Sequence, residues 1–420
     1  MTQPVASARD NCRLCSQPAM RPVMTLGDLG VSGFPEGDEV TPRAPLELVL
    51  CDPGSGGCGL VQLKHTVSPE LMYRHYWYRS VTNEAMRRAL AEVTARVEAT
   101  VDLLAGALVV DIGCNDGTLL RSYRAPGIRL CGFEPARNLV VFARQGTTRI
   151  INDFFNAAAF KVAFGSEKAR AITTIAMFYD LEEPNRFVAD IAACLDDEGI
   201  WINQMASLPL MLESNGFDNI CHEHLEYYSI AVLVDLYGRH GLEVFDVETN
   251  DVNGGSFRVF ARKKGARVGE SSFGRARLAA MLHFETLLGL GTRAPYDEFA
   301  ARVGTQRDEL LAFLRREKAA GKRIYGYGAS TKGNTLLQYY GIGPDLVEAI
   351  ADRNSEKWGR RTGGSNIPII SEEQARADKP DYFLVLPWHF LAAFREREKD
   401  FLGSGGKFIV PLPTVRVVSW

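Results

Sequence analysis

What this sequence lacks narrows it first. Strong charge of either sign is missing: 48 Lys and Arg face 51 Asp and Glu, a net charge of −3. With no basic stripe to follow a phosphate backbone, nucleic acid and anionic membrane are disfavoured as partners. No run approaches the roughly 20 apolar residues of a membrane span, and the opening MTQPVASARDNC has no apolar signal-peptide core. A cytoplasmic protein is therefore expected. Reducing conditions there keep thiols free, so the eight cysteines are expected as metal ligands, core residues or reactive groups rather than disulfides. Two signatures are also absent, G-x-x-x-x-G-K-[ST] of a P-loop and H-E-x-x-H of a metalloprotease. At 420 residues the chain is too long for one ordinary core, and two or three domains are expected.

Four cysteines crowd the front. Cys12 and Cys15 stand as C-x-x-C in NCRLC, and Cys51 and Cys58 follow in CDPGSGGCGL. The first pair has the spacing with which two thiolates grip one tetrahedral Zn²⁺. The second pair is wider, but a Pro/Gly/Ser/Gly turn folds back far enough to bring both sulfurs to the same ion. A closed, non-catalytic structural zinc site is expected, replacing the core that so small a module lacks. The alternatives are two unrelated thiol pairs, or a redox C-x-x-C, for which no thioredoxin-like unit is visible.

The middle of the chain reads as a nucleoside-binding α/β fold. Residues 83–105, NEAMRRALAEVTARVEATVDLLA, space apolar residues at helical period. ALVVDIGCNDGTLLRSY then gives an apolar strand ending in Asp111, a turn with Gly113 and Gly117, and a helical period from Leu119. This predicts the opening of a doubly wound domain. Seventeen residues beyond Gly117, IRLCGFEPA ends a second strand in Glu134, where an acid accepts ribose hydroxyls. The turn is D-x-G-x-x-x-G with Asp111 and Asp116 beside it, and two carboxylates repel a pyrophosphate. They suit the zwitterionic methionine end and sulfonium of S-adenosylmethionine, and the stretch resembles motif I of class I methyltransferases. On that likeness Glu134 is the ribose acid, Asp153 of INDFF meets the adenine, and Asn115, Pro135, Phe154 and Met177 complete the cofactor surroundings. The loop after the next strand, carrying Phe178, Tyr179 and Asp180, is expected at the ligand-binding edge of the sheet.

FDNICHEHLEYYS at 217–229 places Cys221, His222, Glu223 and His224 in a row. Neighbours in one short loop are not expected to converge on a single ion, so a metal site is not the reading adopted. An acid beside an imidazole raises its basicity, and the stretch reads as a base and its tuner. The bland alternative is a capping histidine or a satisfied polar network. Position alone does not separate His222 from His224.

Taken end to end, the chain resembles the bacterial NDP-sugar C-methyltransferases. The likeness rests on the Cys₄ module, LMYRHYWYRSVTNEAM, the D-x-G-x-x-x-G domain with FDNICHEHLEYYS and NGGSFRVF, and a second α/β domain opening IYGYGASTKGNTLLQYYGI. It implies S-adenosylmethionine-dependent methylation of a nucleotide-linked 4-keto-deoxysugar, typically at C-3. It carries the E-H-x-x-x-x-S pair onto Glu223 and His224, with His224 the base and His222 in support. The Y-x-Y-x-S tyrosines become Tyr76 and Tyr78, near the substrate. Cys221 stands where relatives can have an active-site tyrosine, and Asp180, beside Tyr179, where they can have a histidine. The implied fold is α/β: a zinc module over 1–75, a class I methyltransferase domain over 76–265, and a helical connector with a second Rossmann-like domain over 266–420.

In the last third, residues 266–320 read as connecting helices with solvated charged faces. KRIYGYGASTKGNTLLQYYG repeats the strand, Gly-turn, helix theme, but Gly333 is followed by Asn334, so no P-loop forms. Asp352 falls at a dinucleotide-acid distance, yet Arg353 and Lys357 beside it suit a phosphate. A degenerate nucleotide fold that clamps the substrate diphosphate is expected, through Ser330, Lys332, Asn334 and Arg353; an architectural lobe is the alternative. His389 in FLVLPWHF is expected in core or on the surface, with the cleft between domains as the alternative. A small-molecule substrate and a monomer are expected. The rival functions are O- or N-methylation of a small metabolite, and a non-catalytic binding protein with a vestigial cofactor fold.

Overall fold

The computed structural model describes residues 5–31, 33–74 and 76–420, apart from the side chain of Leu71; residue 75, at the expected module boundary, lies outside the described residues. Three larger sheets organise the described residues, beside a two-stranded pairing of Ala6–Ala8 with His65–Val67. The first is antiparallel, with strands Met20–Gly30, Arg43–Cys51 and Val61–Leu63. Its fourth strand, Glu226–Tyr227, comes from far along the chain and pairs with Gln62 and Val61.

At one end of this sheet the four front cysteines meet. The Cys12 and Cys58 sulfurs are 3.7 Å apart, those of Cys15 and Cys51 3.4 Å, and all four lie within 4.8 Å of one another. Four Zn–S bonds of about 2.3 Å in a tetrahedron separate the sulfurs by about 3.8 Å, so the cluster has the dimensions of a Cys₄ site. Backbone N–H groups of Leu14 and Cys58 point at the Cys12 and Cys51 sulfurs from 3.4 and 3.3 Å, and Gln62 Nε2 reaches Cys12 Sγ at 3.1 Å. Such donors orient and partly neutralise thiolate ligands. The wide spacing of the second pair is handled by Asp52, whose Oδ1 accepts from Gly54 N at 3.0 Å and turns the loop back.

The second sheet has seven strands. In sheet order they are Leu242–Asn250, Ser256–Lys263, Leu195–Ala206, Ala169–Ile175, Leu108–Ile112, Arg129–Phe133 and Arg149–Ile151. Ser256–Lys263 runs antiparallel to both neighbours; the other pairings are parallel. Strand direction of winding reverses between Leu108–Ile112 and Ala169–Ile175, and the crevice beyond their carboxyl ends is where ligands bind in such sheets. Strand Leu108–Ile112 is buried throughout, as its apolar run predicts. Two expectations are corrected. Helix Glu84–Thr100, capped by Asn83, stops where Val101 turns extended rather than reaching 105. The helix predicted from Leu119 shrinks to a 3-10 turn, Leu120–Ser122, because Tyr123 is extended and Pro126 and Gly127 follow.

Helices Ser272–Leu288 and Ala294–Ala319 follow the second sheet in the chain and precede the third. The third sheet orders Ile369–Ser371, Ile350–Asp352, Ile324–Tyr327, Tyr382–Val385, Lys407–Val410 and Arg416–Val418, parallel except at the last strand. It repeats a device of the second: Asp352 accepts the Ala329 N–H at 2.8 Å, as Glu134 accepts that of Asn115 at 2.7 Å. This is the α/β class read from the sequence. Among the described residues, no helix is long and apolar enough to cross a membrane.

Gly57 is the tightest point of the metal loop, since a Cβ there would lie 2.6 to 2.7 Å from the Cys51 carbonyl and sulfur. Gly57→Ala is expected to cost about 1 to 3 kcal/mol and to lower bound zinc below one per chain, read by metal analysis alongside a thermal melt. Full zinc content and an unchanged melt would contradict this packing.

Candidate active site

A cavity of about 460 Å³ opens at the carboxyl ends of Leu108–Ile112 and Ala169–Ile175, walled on the far side by the third sheet's first turn. At one end lie Asp111, Gly113, Asn115, Glu134, Pro135, Asp153, Phe154 and Met177. Gly113 has φ +70°, and a Cβ there would press on Met177 at 3.3 Å, so bare backbone faces the cavity. The Glu134 oxygens accept from Asn115 N at 2.7 Å and Ala136 N at 2.8 Å, which fixes the carboxyl and leaves lone pairs for a ligand. Burial pushes Glu134 up to about 7, and Asp111 likewise to about 7 against a 2.6 Å hydrogen bond from Thr173. This wall fits an adenosyl cofactor. Asp116 and Gly117 are not on it. Asp116 turns inward, accepting from Thr118 Oγ1 at 2.5 Å and Val81 N at 2.9 Å, and Gly117, at φ +78°, packs against Ala143. The repulsion expected from two carboxylates thus reduces to one facing the ligand.

At the other end stand Tyr76, Tyr179, Asp180, Glu223 and His224. His224 Nδ1 lies 2.9 Å from the Asn219 carbonyl, an acceptor only, so Nδ1 carries the proton and Nε2 keeps its lone pair. The ring leans on Tyr179, centroids 4.3 Å apart. Burial, with Lys332 nearby, pulls His224 down to about 3. Its neighbour does not raise it, which corrects the reading of Glu223 as a tuner: Glu223 is itself pushed up to about 7 by burial. The expectation that this loop does not converge is also corrected. Cys221, Glu223 and His224 bring their ligand atoms within 4.8 Å of one another, because the turn at 221–224 curls on itself through His224 N to Cys221 O at 3.1 Å. His222 is the one that leaves, its Nε2 2.9 Å from the Ala44 carbonyl.

Tyr76 and Tyr78 part company. The Tyr76 hydroxyl is raised by burial and by Glu223 and Asp180, whereas Tyr78 answers to burial and Asp116 at the opposite end. Asp180 is held well above the carboxylate range by burial and by Glu223 and Glu226. Ser330 and Lys332 line the cavity, but Asn334 and Arg353 do not. Asn334 Nδ2 donates to Gly33 O at 2.9 Å, tying the third sheet's helix to the N-terminal module, and Arg353 is exposed; Lys357 faces the cavity in its stead. His389 is on the wall, the alternative of its two expected placements. Sequence reasoning missed Tyr73, whose hydroxyl donates to Glu223 O at 2.8 Å, and Thr331, whose Oγ1 donates to Glu223 Oε2 at 3.3 Å. The aromatic run LMYRHYWY was the only signal for the first.

A Rossmann-like sheet with an acid closing its second strand, joined to a Cys₄ module, defines an S-adenosylmethionine-dependent methyltransferase with a zinc-binding domain. Three family models match in chain order: "Putative zinc binding domain" over 12–73, "Methyltransferase domain" over 82–247 and "C-methyltransferase C-terminal domain" over 251–413. The C-methyltransferase NovU of Streptomyces niveus is 33% identical over 422 residues, 99% of each chain. The chain belongs to this family of C-methyltransferases. Among solved structures, magnesium protoporphyrin IX methyltransferase ChlM from Synechocystis PCC 6803 with bound cofactor is 16% identical, covering 42% of this chain and 79% of its own, at a TM-score of 0.32. A methyltransferase of Clostridium acetobutylicum is 10% identical, covering 44% of this chain and 94% of its own, at 0.33.

The raised Glu134 gives a signed expectation for the ligand-free protein. Its folded value of about 7 exceeds the ordinary 4.5, so its contribution is fully present below the ordinary value and is lost as pH rises through 7. Gln does not titrate. The stability of Glu134→Gln relative to the parent is therefore expected to improve by about 1 kcal/mol between pH 6 and pH 8, read by denaturant melts; a difference independent of pH would contradict the burial.

Proposed function

We propose that the chain transfers a methyl group to the carbon beside the ketone of a nucleotide-linked 4-keto-deoxysugar, with C-3 the expected position. The observation that carries this reading is His224: one ring nitrogen is occupied by a backbone carbonyl, the other has a free lone pair, and the ring shares a cavity with Glu134 and Asp111. Carbon beside a ketone becomes nucleophilic only after losing a proton, so such an enzyme needs a base held unprotonated. Burial holds His224 neutral throughout the working range.

S-adenosylmethionine supplies an electrophilic methyl. Glu134 accepts the ribose hydroxyls, Asp111 faces the methionine end, and Asp153 and Phe154 flank the adenine. His224 takes the proton, and Tyr76 and Tyr179 are within the same wall to donate hydrogen bonds. Asp180, raised well above the carboxylate range by burial and by Glu223 and Glu226, stands on the same wall. Cys221, expected in the pocket, is fully buried and does not line the cavity; its sulfur lies behind the wall, within 4.8 Å of the Glu223 and His224 ligand atoms. The nucleotide faces the third sheet, where Ser330 and Lys357 line the cavity beside Phe34.

Without cofactor, in deuterated solvent, the protein is expected to exchange the proton beside the ketone of a TDP-4-keto-deoxysugar, read by NMR or mass spectrometry. His224→Ala is expected to lose exchange and methylation together. Methylation kept by His224→Ala would instead identify O- or N-methylation, and no exchange across a panel of such sugars would overturn the sugar reading.

A further inference from the structure

The convergence of Cys221, Glu223 and His224 within 4.8 Å is the arrangement three ligands of a metal ion take. A different cation already faces them. Lys332, the second residue of helix Thr331–Tyr340, belongs to the C-terminal sheet domain yet lines the same cavity. Burial pulls Lys332 below the ordinary lysine range, and Asp218, Cys221 and Glu223 oppose that by favouring its charged form; its charge in turn bears on Cys221, Glu223 and His224 alike. A divalent ion placed among the same donors would meet that charge.

The lysine is held from two sides. Its Nζ donates to Asn253 O at 2.9 Å, on the turn Val252–Gly254 that precedes strand Ser256–Lys263. The adjacent Thr331 hydroxyl reaches Glu223 Oε2 at 3.3 Å, so the helix start is registered against the reaction end of the cavity. An ammonium has three donors, and Asn253 takes one. The other lysine on the wall, Lys357, is engaged elsewhere: its Nζ donates to Ala329 O at 2.7 Å, lies 3.5 Å from Asp352 Oδ2, and sits 4.7 Å over the Phe34 ring. Among the described residues, Lys332 is the lysine or arginine that faces the catalytic loop from within the cavity.

We infer that Lys332 is a catalytic residue that receives the charge of the enolate, not a diphosphate anchor. The inference rests on the carbon-methylation reading above. In the first step the C–H bond beside the ketone breaks, the proton goes to His224 Nε2, the electron pair forms a C=C bond, and the carbonyl π pair moves onto oxygen. That oxygen carries a full negative charge in a largely apolar cavity, and an ammonium N–H aimed at it stabilises the charge where it develops. In the second step the carbon takes the methyl group, the sulfonium becomes a thioether, and the oxygen returns to a ketone as its charge leaves Lys332. Lys332 thus has an uneven role: it meets a neutral carbonyl before reaction and an oxyanion at the top of the barrier. An interaction stronger at the barrier than in the bound substrate raises kcat rather than lowering KM.

The test uses full-length zinc-loaded protein, with cofactor-free deuterium exchange on a TDP-4-keto-deoxysugar and steady-state methylation measured for Lys332→Met and Lys332→Arg. Lys332→Met is expected to lose about 100-fold or more in exchange and in kcat, with KM within about threefold and S-adenosylhomocysteine affinity unchanged by calorimetry. Lys332→Arg, keeping a cation, is expected to recover at least about tenfold of that loss. Exchange and kcat retained by Lys332→Met while KM rises would overturn the proposal and return Lys332 to the diphosphate. If Lys332→Met fails to bind S-adenosylhomocysteine, Lys332→Gln is measured in its place under the same criteria. Absence of exchange by the parent protein would overturn the sugar reading and this inference together; exchange by the parent that survives in the folded variants would overturn only the role of Lys332.

Discussion

The site depends on one short backbone pairing. Glu226–Tyr227, two residues beyond His224, is the edge strand of the zinc module's sheet, paired with Val61 and Gln62. Just before it, Leu63 N donates to Leu225 O at 2.8 Å, and Leu225 N donates to Tyr179 O at 2.8 Å. The loop that carries His224 is thereby stitched to two domains at once. Arg13 reinforces the seam. It lies inside the C-x-x-C knuckle, is 5% exposed, and reaches Thr66 Oγ1 at 2.6 Å, Gln62 Oε1 at 3.2 Å, Glu182 Oε2 at 3.2 Å and Glu226 Oε1 at 3.7 Å. A metal that shapes the knuckle therefore also sets Arg13, and Arg13 sets the strand that leaves His224. A loop rich in ionisable groups and buried throughout needs such external fixing, because its own side chains contribute little packing and large desolvation costs.

The third domain closes the cavity rather than standing apart. Gly30 N donates to Gln338 Oε1 at 2.7 Å, Asn334 to Gly33 O, and Thr331 to Glu223, so helix Thr331–Tyr340 touches both other parts. Burial then governs the chemistry more than any single pair does. It raises Asp111, Glu134, Asp180, Glu223 and Glu226 and lowers His224. A cavity whose buried acids are shifted upward around a neutral histidine, with Lys332 on the same wall, is suited to a reaction that creates and then discards one negative charge.

Much of this was legible in the residues. The apolar runs at 108–112 and 129–133, with Gly113 and Glu134 at their ends, carry the strand–turn–acid pattern whatever surrounds them, since backbone approach and ribose geometry demand those types there. C-x-x-C carried the metal site, although the six-residue gap between Cys51 and Cys58 needed the Asp52 turn to explain it. What stayed hidden was direction. Sequence placed Asp116 beside Asp111, but side-chain hydrogen bonds to Thr118 and Val81 turned it away. It set Tyr76 and Tyr78 together, yet beyond burial Tyr76 answers to Glu223 and Asp180 and Tyr78 to Asp116, because the segment that carries them is irregular and no alternation fixes their directions. Thr331 joins Glu223 over more than a hundred residues, and no local period encodes that contact. The sign of the His224 shift was missed because adjacency to an acid is visible in sequence, whereas burial is not.

The dependence of the catalytic loop on the zinc module is tested most directly by hydrogen-exchange mass spectrometry, comparing the zinc-loaded protein with the same protein after chelation. The amides of residues 219–229 and 61–66 are expected to lose protection together on zinc removal, while the central strand Leu108–Ile112 keeps its own. Unchanged protection of 219–229 in protein stripped of zinc would show that the methyltransferase domain holds its reaction loop unaided, and would contradict the account.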